Sequence, residues 1–596
     1  MTLPAARQFA SLVDLVQAQA ALYADEVLYR FLPDGETETA TLTYGQFAAR
    51  SRAVAAQLQQ HLVPQDRVLI VMPYVAGSEF VAGFFGCLLA QAIAVSCNPP
   101  RHQKSISDIL WRVKDAQAKA ILMTAELRDN VRSQLLKNPD LQGALDGVHW
   151  IAVDEIPSEM AQSWREVSCD RETLAYFQYS SGTTGNPKAV MLTHGNVLHN
   201  SEIIFQSFGH KSGERGVIWM PLFHDMGLVG GVIQPLYAGL SVSILSPIAL
   251  IQKPHCWLQT ISRNRATTSG GPNFAYDLAC QSAIANPPQD LDLSSWEVAF
   301  TGAEPIRPET LARFTEIFTP YGFKREAFYP CYGMAETTLL ITGGQRSKRP
   351  ILLDVDAARL AQNEAIETDN PDKVQTIVGC GHTWLEDEVI VVNPDTLTIC
   401  PDGRVGEIWF RGPGLGVGYW QRPEETEKTF QAYVGDEGPY LRTGDLGFRQ
   451  GSEIYITGRL KDLMIFLGRN HYPQYIESTV ENCHQSLRVN GTAAFAIEAA
   501  GDERLIIVQE VERTAIRKLE PEEIIRAIRQ SVGAEHIIEV FAIALIKPGA
   551  LPRTSSGKVQ RRKCRQMYLA GDIEPLFSWQ LDPNAGSAIM DLLRQQ

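Results

Sequence analysis

The chain has 596 residues, of which 45% are hydrophobic and 20% charged. That balance excludes a disordered or collagen-like chain and leaves room for a few domains. Its 54 lysines and arginines stand against 68 aspartates and glutamates, a net charge of −14, which argues against general nucleic-acid binding although Lys558 to Arg565 is locally basic.

From the N-terminus, Met1 to Ala10 lacks the basic region and apolar core of a signal peptide. Tyr44 to His61 has helical spacing, and Arg67 to Met72 reads as a strand buried on both faces. Phe80 to Cys97 is almost wholly apolar, but Gln91 interrupts it and Asn98-Pro99-Pro100 ends it. Its clean part would rise about 16 Å as a helix, short of a hydrocarbon core of roughly 30 Å. The reading is a buried helix feeding a buried strand in a protein that does not span a membrane. Ile106 to Ala116 is again helical, and Ala120–Met123 and Trp150–Val153 are further strands. A second cycle follows at Gly216–Met220, Ser241–Leu245 and Val298–Thr301. Strand–helix alternation of this kind predicts α/β layers with parallel sheets.

Gly344 to Thr376 is polar and weakly periodic. After about Leu460 the texture changes: Thr492–Glu498 and Leu505–Val511 flank Gly501-Asp502, a hairpin signal, and Pro521-Glu522-Glu523 opens an amphipathic helix. This predicts an α+β unit of about 100 residues beyond a hinge near Arg459–Lys461, with Met567 to Gln596 as a partly ordered linker. No carrier-domain attachment motif follows Arg565. Ten scattered cysteines form no Cys-x-x-Cys pair, so reduced thiols in a cytoplasmic protein are expected.

The most specific segment is Tyr179-Ser180-Ser181-Gly182-Thr183-Thr184-Gly185-Asn186-Pro187-Lys188. Glycines and small hydroxyl residues let backbone N–H groups approach phosphate oxygens, and Lys188 adds a charge. The Walker A spacing is absent; a polar hairpin turn is the plain alternative. Downstream, in order, come Pro221 to Leu228 (Pro-Leu-Phe-His-Asp-Met-Gly-Leu), Cys331 to Thr337 (Cys-Tyr-Gly-Met-Ala-Glu-Thr), Tyr440 to Asp445, Gly458 to Asp462 and Pro552 to Lys558.

That ordered set resembles the adenylate-forming superfamily over roughly residues 10 to 570. Within it, Trp219 to Leu228, Ser269 to Leu278, Gly468 to Pro473 and the extra segment at about 344–376 are similar to fatty acyl-AMP ligases. Ala189 departs from the glycine usual after the loop lysine. The resemblance implies a large N-terminal adenylation domain over 1–460, with parallel and mixed sheets layered with helices plus a small β subdomain. A small mobile α+β lid and tail would occupy 461–596. The implied reaction uses ATP and Mg²⁺ to make a fatty acyl-adenylate, then passes the acyl group to the phosphopantetheine of a holo acyl carrier protein, in polyketide, lipopeptide or lipid biosynthesis. The insertion at 344–376 would restrain the lid and disfavour CoA.

By the same resemblance Lys558 is the catalytic lysine between carboxylate and α-phosphate, His224 orients the carboxylate, and Glu336 holds Mg²⁺. Ser180, Ser181, Gly182, Thr183, Thr184, Gly185 and Lys188 cradle phosphates. Gly302, Ala303, Glu304 and Pro305 sandwich the adenine with Tyr332, Gly333 and Met334, Tyr332 stacking, and Ala335 and Thr337 belong to the same ATP site; Asp445 takes the ribose, and Arg459 supports the ribose or phosphate. Gly270, Gly271, Pro272, Asn273 and Phe274 mark the junction of nucleotide and acyl tunnel, and Lys461 is the hinge. Taken singly, each has a plainer reading: a surface lysine at 558 or 461, a helix-start acid at 336, a turn aspartate at 445, a hydrogen-bonded core histidine at 224. The run Lys558–Arg565 is either a solvated helix face or a docking surface for an acidic carrier. The rival readings are a long-chain fatty acyl-CoA synthetase and a non-catalytic nucleotide- or lipid-binding relative; nothing requires a luciferase-like oxidase.

Overall fold

The computed structural model describes residues 9–100, 104–137, 145–180, 187–371, 373–466, 469–499, 502–554 and 557–581. Two large sheets hold most of the chain. The first has eight strands in the order Thr342–Gly343, Phe328–Tyr332, Val298–Thr301, Thr268–Gly270, Arg215–Ile218, Ser241–Leu245, Val27–Leu32 and Ala40–Thr43. Its six inner strands run parallel and the two edges antiparallel. The second sheet has seven strands, Gly418–Tyr419, Ala189–Thr193, Leu174–Tyr179, Ile93–Cys97, Arg67–Val71, Ala120–Met123 and His149–Ala152. The expected parallel α/β layering is present, and the predicted strands between Arg67 and Thr301 fall within these two sheets.

Helices Tyr44–Leu58 and Gly77–Leu89 pack on each other in the shared core. The first starts where Thr43 and Gln46 bond each other's backbone N–H groups in a capping box. Gly86 lets the second approach closely, since a Cβ there would fall 2.5 Å from Val54 Cγ1. The apolar run that prompted a membrane check is thus interior packing, and among the described residues no helix is long and apolar enough to cross a membrane.

A third, antiparallel sheet of five strands spans Glu388 to Arg459, and the chain turns at Leu460–Asp462. Beyond it, strands Leu487–Ala499, Asp502–Val511, Val540–Ile546 and Pro575–Gln580 form a sheet with helices Pro473–Asn482, Pro521–His536 and Arg561–Ala570. Alternation along Leu505–Val511 feeds two cores: Leu505 and Ile507 face Ile524, Ile528 and Val532, while Ile506 and Val508 face Phe495 and Cys564.

The tail departs from expectation. Residues 575–580 are a strand paired antiparallel with Val540–Ile546, not linker. Phe577 and Trp579 alternate with polar Ser578 and Gln580 and pack on the core, and Arg529 lies 4.3 Å over the Trp579 ring. The Asp582–Gly586 break lies outside the described residues.

The polar segment 344–376 is also structured. Leu352–Asp356 pairs with Val374–Val378, and Val355, Leu360 and Ile377 pack with Leu446, Phe448, Tyr455 and Tyr472. It therefore touches both the five-stranded sheet and the C-terminal unit. Asn470 N–H donates to Ala361 O at 3.0 Å and its side chain to Asn363 Oδ1 at 2.8 Å.

Candidate active site

Parallel strands end together, so the loops that follow them converge. From the first sheet, Arg215–Ile218 leads to Trp219 and on to His224, and Thr268–Gly270 to Asn273. Val298–Thr301 leads to Gly302, and Phe328–Tyr332 to Gly333. From the second, Leu174–Tyr179 leads to Ser180. These loops and the C-terminal unit enclose a cavity of about 1750 Å³. Of the residues singled out in the sequence, Ser180, Lys188, His224, Asn273, Phe274, Gly302, Ala303, Glu304, Pro305, Tyr332, Gly333, Met334, Ala335, Glu336, Asp445, Arg459, Lys461 and Lys558 all line it.

Asp445, 6% exposed, accepts Tyr332 Oη–H at 2.8 Å and Arg459 Nε–H at 2.9 Å. The Asp445 charge in turn raises the Arg459 pKa. Tyr332 is thereby held by its hydroxyl with its ring along the cavity. Ser180 N–H donates to Lys188 O at 2.9 Å and Lys188 N–H to Ser180 Oγ at 3.2 Å, closing the base of the loop; Ser181, Gly182, Thr183, Thr184 and Gly185 lie outside the described residues. Lys188 pairs with Glu425 and its Nζ lies 4.7 Å over the Tyr419 ring. Tyr419 donates to Glu336 Oε1 at 2.8 Å. Burial pushes the Glu336 pKa up, and among the described residues no salt bridge reaches it. A buried carboxylate in that state fits a cation, and Mg²⁺ takes few protein carboxylates.

His224 Nδ1 lies 2.6 Å from Asp225 Oδ1. Burial works to raise Asp225, but the His224 and Lys558 charges outweigh it and hold the carboxyl below its usual range. Glu304 accepts the backbone and side-chain N–H of Asn273 at 2.9 and 3.0 Å, and burial pushes its pKa up. Ala303 beside it sits in the left-handed region at φ +70°, a costly conformation for alanine that the surrounding turn enforces.

Lys558 comes from the opposite side, on a hairpin closed by Thr554 N–H to Lys558 O at 2.8 Å. Burial lowers its pKa against the pull of Asp225, Glu304 and Asp445. Gly557, at φ +87°, rests against Phe274; a Cβ there would fall 2.8 Å from Phe274 Cε1. Two further contacts hold this arrangement: Arg307 Nη1 to Glu481 Oε2 at 2.7 Å, and Asn490 Nδ2 to Asp277 Oδ2 at 2.9 Å.

Four expected residues do not face the cavity. Gly270 and Gly271 are close-packing positions: a Cβ would fall 2.0 Å from Phe300 O or 2.4 Å from Trp219 Cζ2. Pro272 caps the helix Asn273–Ala285, and Thr337 is fully buried with its hydroxyl on Met334 O at 3.0 Å. The basic run is not a uniform solvated face either, because Arg561 turns inward onto Glu477 with two 2.6 Å hydrogen bonds. Lys461 lines the cavity although largely exposed, its pKa lowered by partial desolvation and by the neighbouring cations Arg562, Lys188 and Lys428. Tyr419, which joins Lys188 to Glu336, had no reading in the sequence; the glycine-rich Gly412–Gly418 before the aromatic pair Tyr419-Trp420 was its signal.

The chain is similar to known proteins along nearly its whole length. The family model described as AMP-binding enzyme matches residues 16–420, and one described as Disco-interacting protein 2-like, AMP domain, matches 461–576. The medium-chain-fatty-acid–[acyl-carrier-protein] ligase JamA of Moorena producens is 42% identical over 95% of this chain and 96% of its own. The long-chain-fatty-acid–AMP ligase FadD32 of Mycolicibacterium smegmatis is 35% identical over 94% and 95%. The crystal structure of the fatty acyl-adenylate ligase from L. pneumophila with acyl adenylate and pyrophosphate has a TM-score of 0.73 at 36% identity, covering 96% of this chain and 98% of that one. With fold and sequence in agreement along nearly its whole length, the chain belongs to the adenylate-forming AMP-binding enzymes, in their fatty acyl-AMP ligase branch.

Proposed function

We infer that the chain activates a fatty acid with ATP and hands the acyl group to the phosphopantetheine thiol of an acyl carrier protein. The observation that carries this reading is the delivery of Lys558 into a cavity whose lining also holds Asp445, Tyr332 and Glu336, together with an apolar branch lined by Phe208, Val217, Leu240 and Val242. In the first step a carboxylate oxygen attacks the α-phosphorus and pyrophosphate leaves. A carboxylate is already a nucleophile at neutral pH, so the residues position and stabilise rather than move protons. Lys558 neutralises charge building between carboxylate and α-phosphate, His224 orients the carboxylate, and Asp445 with Arg459 takes the ribose. The Tyr332 ring and the Gly302–Pro305 turn flank the adenine. Glu336 would hold Mg²⁺, which supplies charge neutralisation on the phosphates. In the second step the thiol sulfur attacks the acyl carbonyl, AMP leaves with the electron pair, and the thiol proton passes to solvent.

We place the domain boundary at 460/461 and the hinge at Lys461, in the turn where the five-stranded sheet ends. The contact of Asn470 with Ala361 and Asn363 supports a restraining role for the insertion. The ten cysteines are all free, in keeping with a cytoplasmic enzyme.

The test is to incubate the protein with ATP, Mg²⁺ and fatty acids of graded length, with CoA or with holo carrier protein, and to identify products by mass spectrometry. Acyl-AMP that accumulates, gives little acyl-CoA and loads the carrier is the expected result. Efficient acyl-CoA formation would make it a CoA ligase, and no adenylate from any acid would overturn the reading.

A further inference from the structure

The apolar branch of the cavity contains a buried amide that nothing satisfies. Gln234 is 2% exposed and lines the branch, yet neither its Oε1 nor its Nε2 has a hydrogen-bond partner. Thr268 lines the same branch, and its buried Oγ1 also has none. His210, 3.7 Å from Glu214, lines it too. The remaining walls are hydrocarbon: Phe208, Val217, Leu240 and Val242. Buried polar groups are almost always paired, and leaving one unpaired is costly.

The depth of this polar patch follows from the topology. Thr268 is in register with Gly216, and Gly216 with Val242. These three sit at the starts of parallel strands whose far ends lead to His224 and Asn273. The rise along the chain from Thr268 to Gly271 places the patch about 10 Å below the loop that leads to Asn273, where the activation reading seats the carboxylate. The helix gives the same figure. Met226–Ile233 is a π-helix, and Met226, Gly230 and Gln234, spaced four apart, face the cavity; eight residues at about 1.5 Å or less each span roughly 10 Å. A medium-length acyl chain seated at the site reaches that depth.

An amide offers a donor and an acceptor. A methylene or methyl group satisfies neither, a carbonyl only the donor, and a hydroxyl both at once. Resting on the acyl-activating reading above, we propose that Gln234, with Thr268, selects an acid whose acyl chain carries a hydroxyl group at this depth. The two residues are specificity determinants: they touch the chain of the substrate and not its reacting atoms.

The experiment uses the full chain with ATP and Mg²⁺. It compares kcat/KM for adenylation between each straight-chain acid from hexanoic to dodecanoic and its ω-hydroxy counterpart. Sites built to hydrogen-bond a substrate hydroxyl discriminate strongly against the analogue lacking it, so the hydroxy-to-plain ratio should exceed about tenfold at one length and fall on either side of it. Gln234→Leu should bring that ratio to about one or below. A ratio is independent of the fraction of folded enzyme, and Thr268→Val, expected to lower it severalfold, serves if the first variant does not fold. A wild-type ratio below tenfold at every length overturns the proposal, as does a ratio that both variants leave unchanged; in either case the amide is satisfied by water. If no acid yields adenylate, the underlying reading of the site falls and this inference falls with it.

Discussion

Removing the Lys558 ammonium tests the site most directly. The side chain lines the cavity from the Pro552–Lys558 segment, and among the described residues it forms no salt bridge. Asp225, Glu304 and Asp445 all act on it, so without it these three carboxyl groups lose a cation where a carboxylate must approach a triphosphate. One like-charge interaction at roughly 6 Å and an effective dielectric of 20 is ~3 kcal/mol. Losing a single transition-state donor in an enclosed site costs about 2.7–4 kcal/mol, or 10²–10³ in rate. Both routes give at least ~100-fold slower adenylation for Lys558→Ala. Pyrophosphate release in the presence of fatty acid measures the first step; chemically prepared acyl-AMP offered with holo carrier protein measures the second, which should change far less. The melting temperature should stay close to that of the parent, since no ion pair is broken. Near-normal adenylation, or an equal fall in both steps, would refute the reasoning.

Four other variants probe separate parts of the structure. Lys461→Pro fixes φ in the turn, where no described hydrogen bond uses the Lys461 N–H; it should spare adenylation and stop carrier loading, and equal loss of both in the two half-reaction assays would remove the hinge role. Asn470→Ala deletes the side-chain contact to Asn363, worth about 0.5–1.5 kcal/mol, and should raise acyl-CoA output severalfold by mass spectrometry if the insertion restrains the C-terminal unit. Glu336→Gln concerns pH. Burial raises the folded-state pKa of Glu336 above its usual 4.5, so the folded protein binds the proton more tightly and stability falls as pH rises through the interval above that value. The variant should melt higher than the parent at pH 7 without metal, converge with it in acid, and lose adenylation. Gly271→Ala drives a methyl to 2.4 Å from Trp219 Cζ2 and should cost about 1–3 kcal/mol in urea unfolding through overpacking alone.

What the sequence made legible depended on how local the signal was. Buried strands such as Arg67–Val71 and Ala120–Met123 announce themselves because both faces are apolar. That Ser180, Lys188, Tyr332–Glu336 and Asp445 line one cavity was legible because each of their segments places several chemically specific residues side by side. Tyr419 was not, since its partners Lys188 and Glu336 are remote in sequence and meet it only through pairing of Gly418–Tyr419 with Val190–Met191. Gly270 and Gly271 looked like lining because glycines beside a ligand and glycines beside a tryptophan read alike. The tail strand was missed because the short alternation at Phe577 and Trp579 sits between Gly571 and Pro583, both turn residues. The two-stranded pair at 352–378 alternates weakly because Asp354, Asp356 and Thr376 occupy its outer face, while polar Gln375 stands opposite Val355 on the inner one.

The late strand Gly418–Tyr419 gives biosynthesis a checkpoint. The sheet it closes begins at Arg67, so the edge of Ala189–Thr193 stays unpaired while more than two hundred further residues are made. Until Tyr419 arrives, Glu336 lacks its hydrogen bond and Lys188 its aromatic floor. This wall of the cavity therefore matures only when the second sheet is complete. A nascent or prematurely terminated chain exposes a strand edge open to mispairing, but it carries no finished pocket with which to consume ATP.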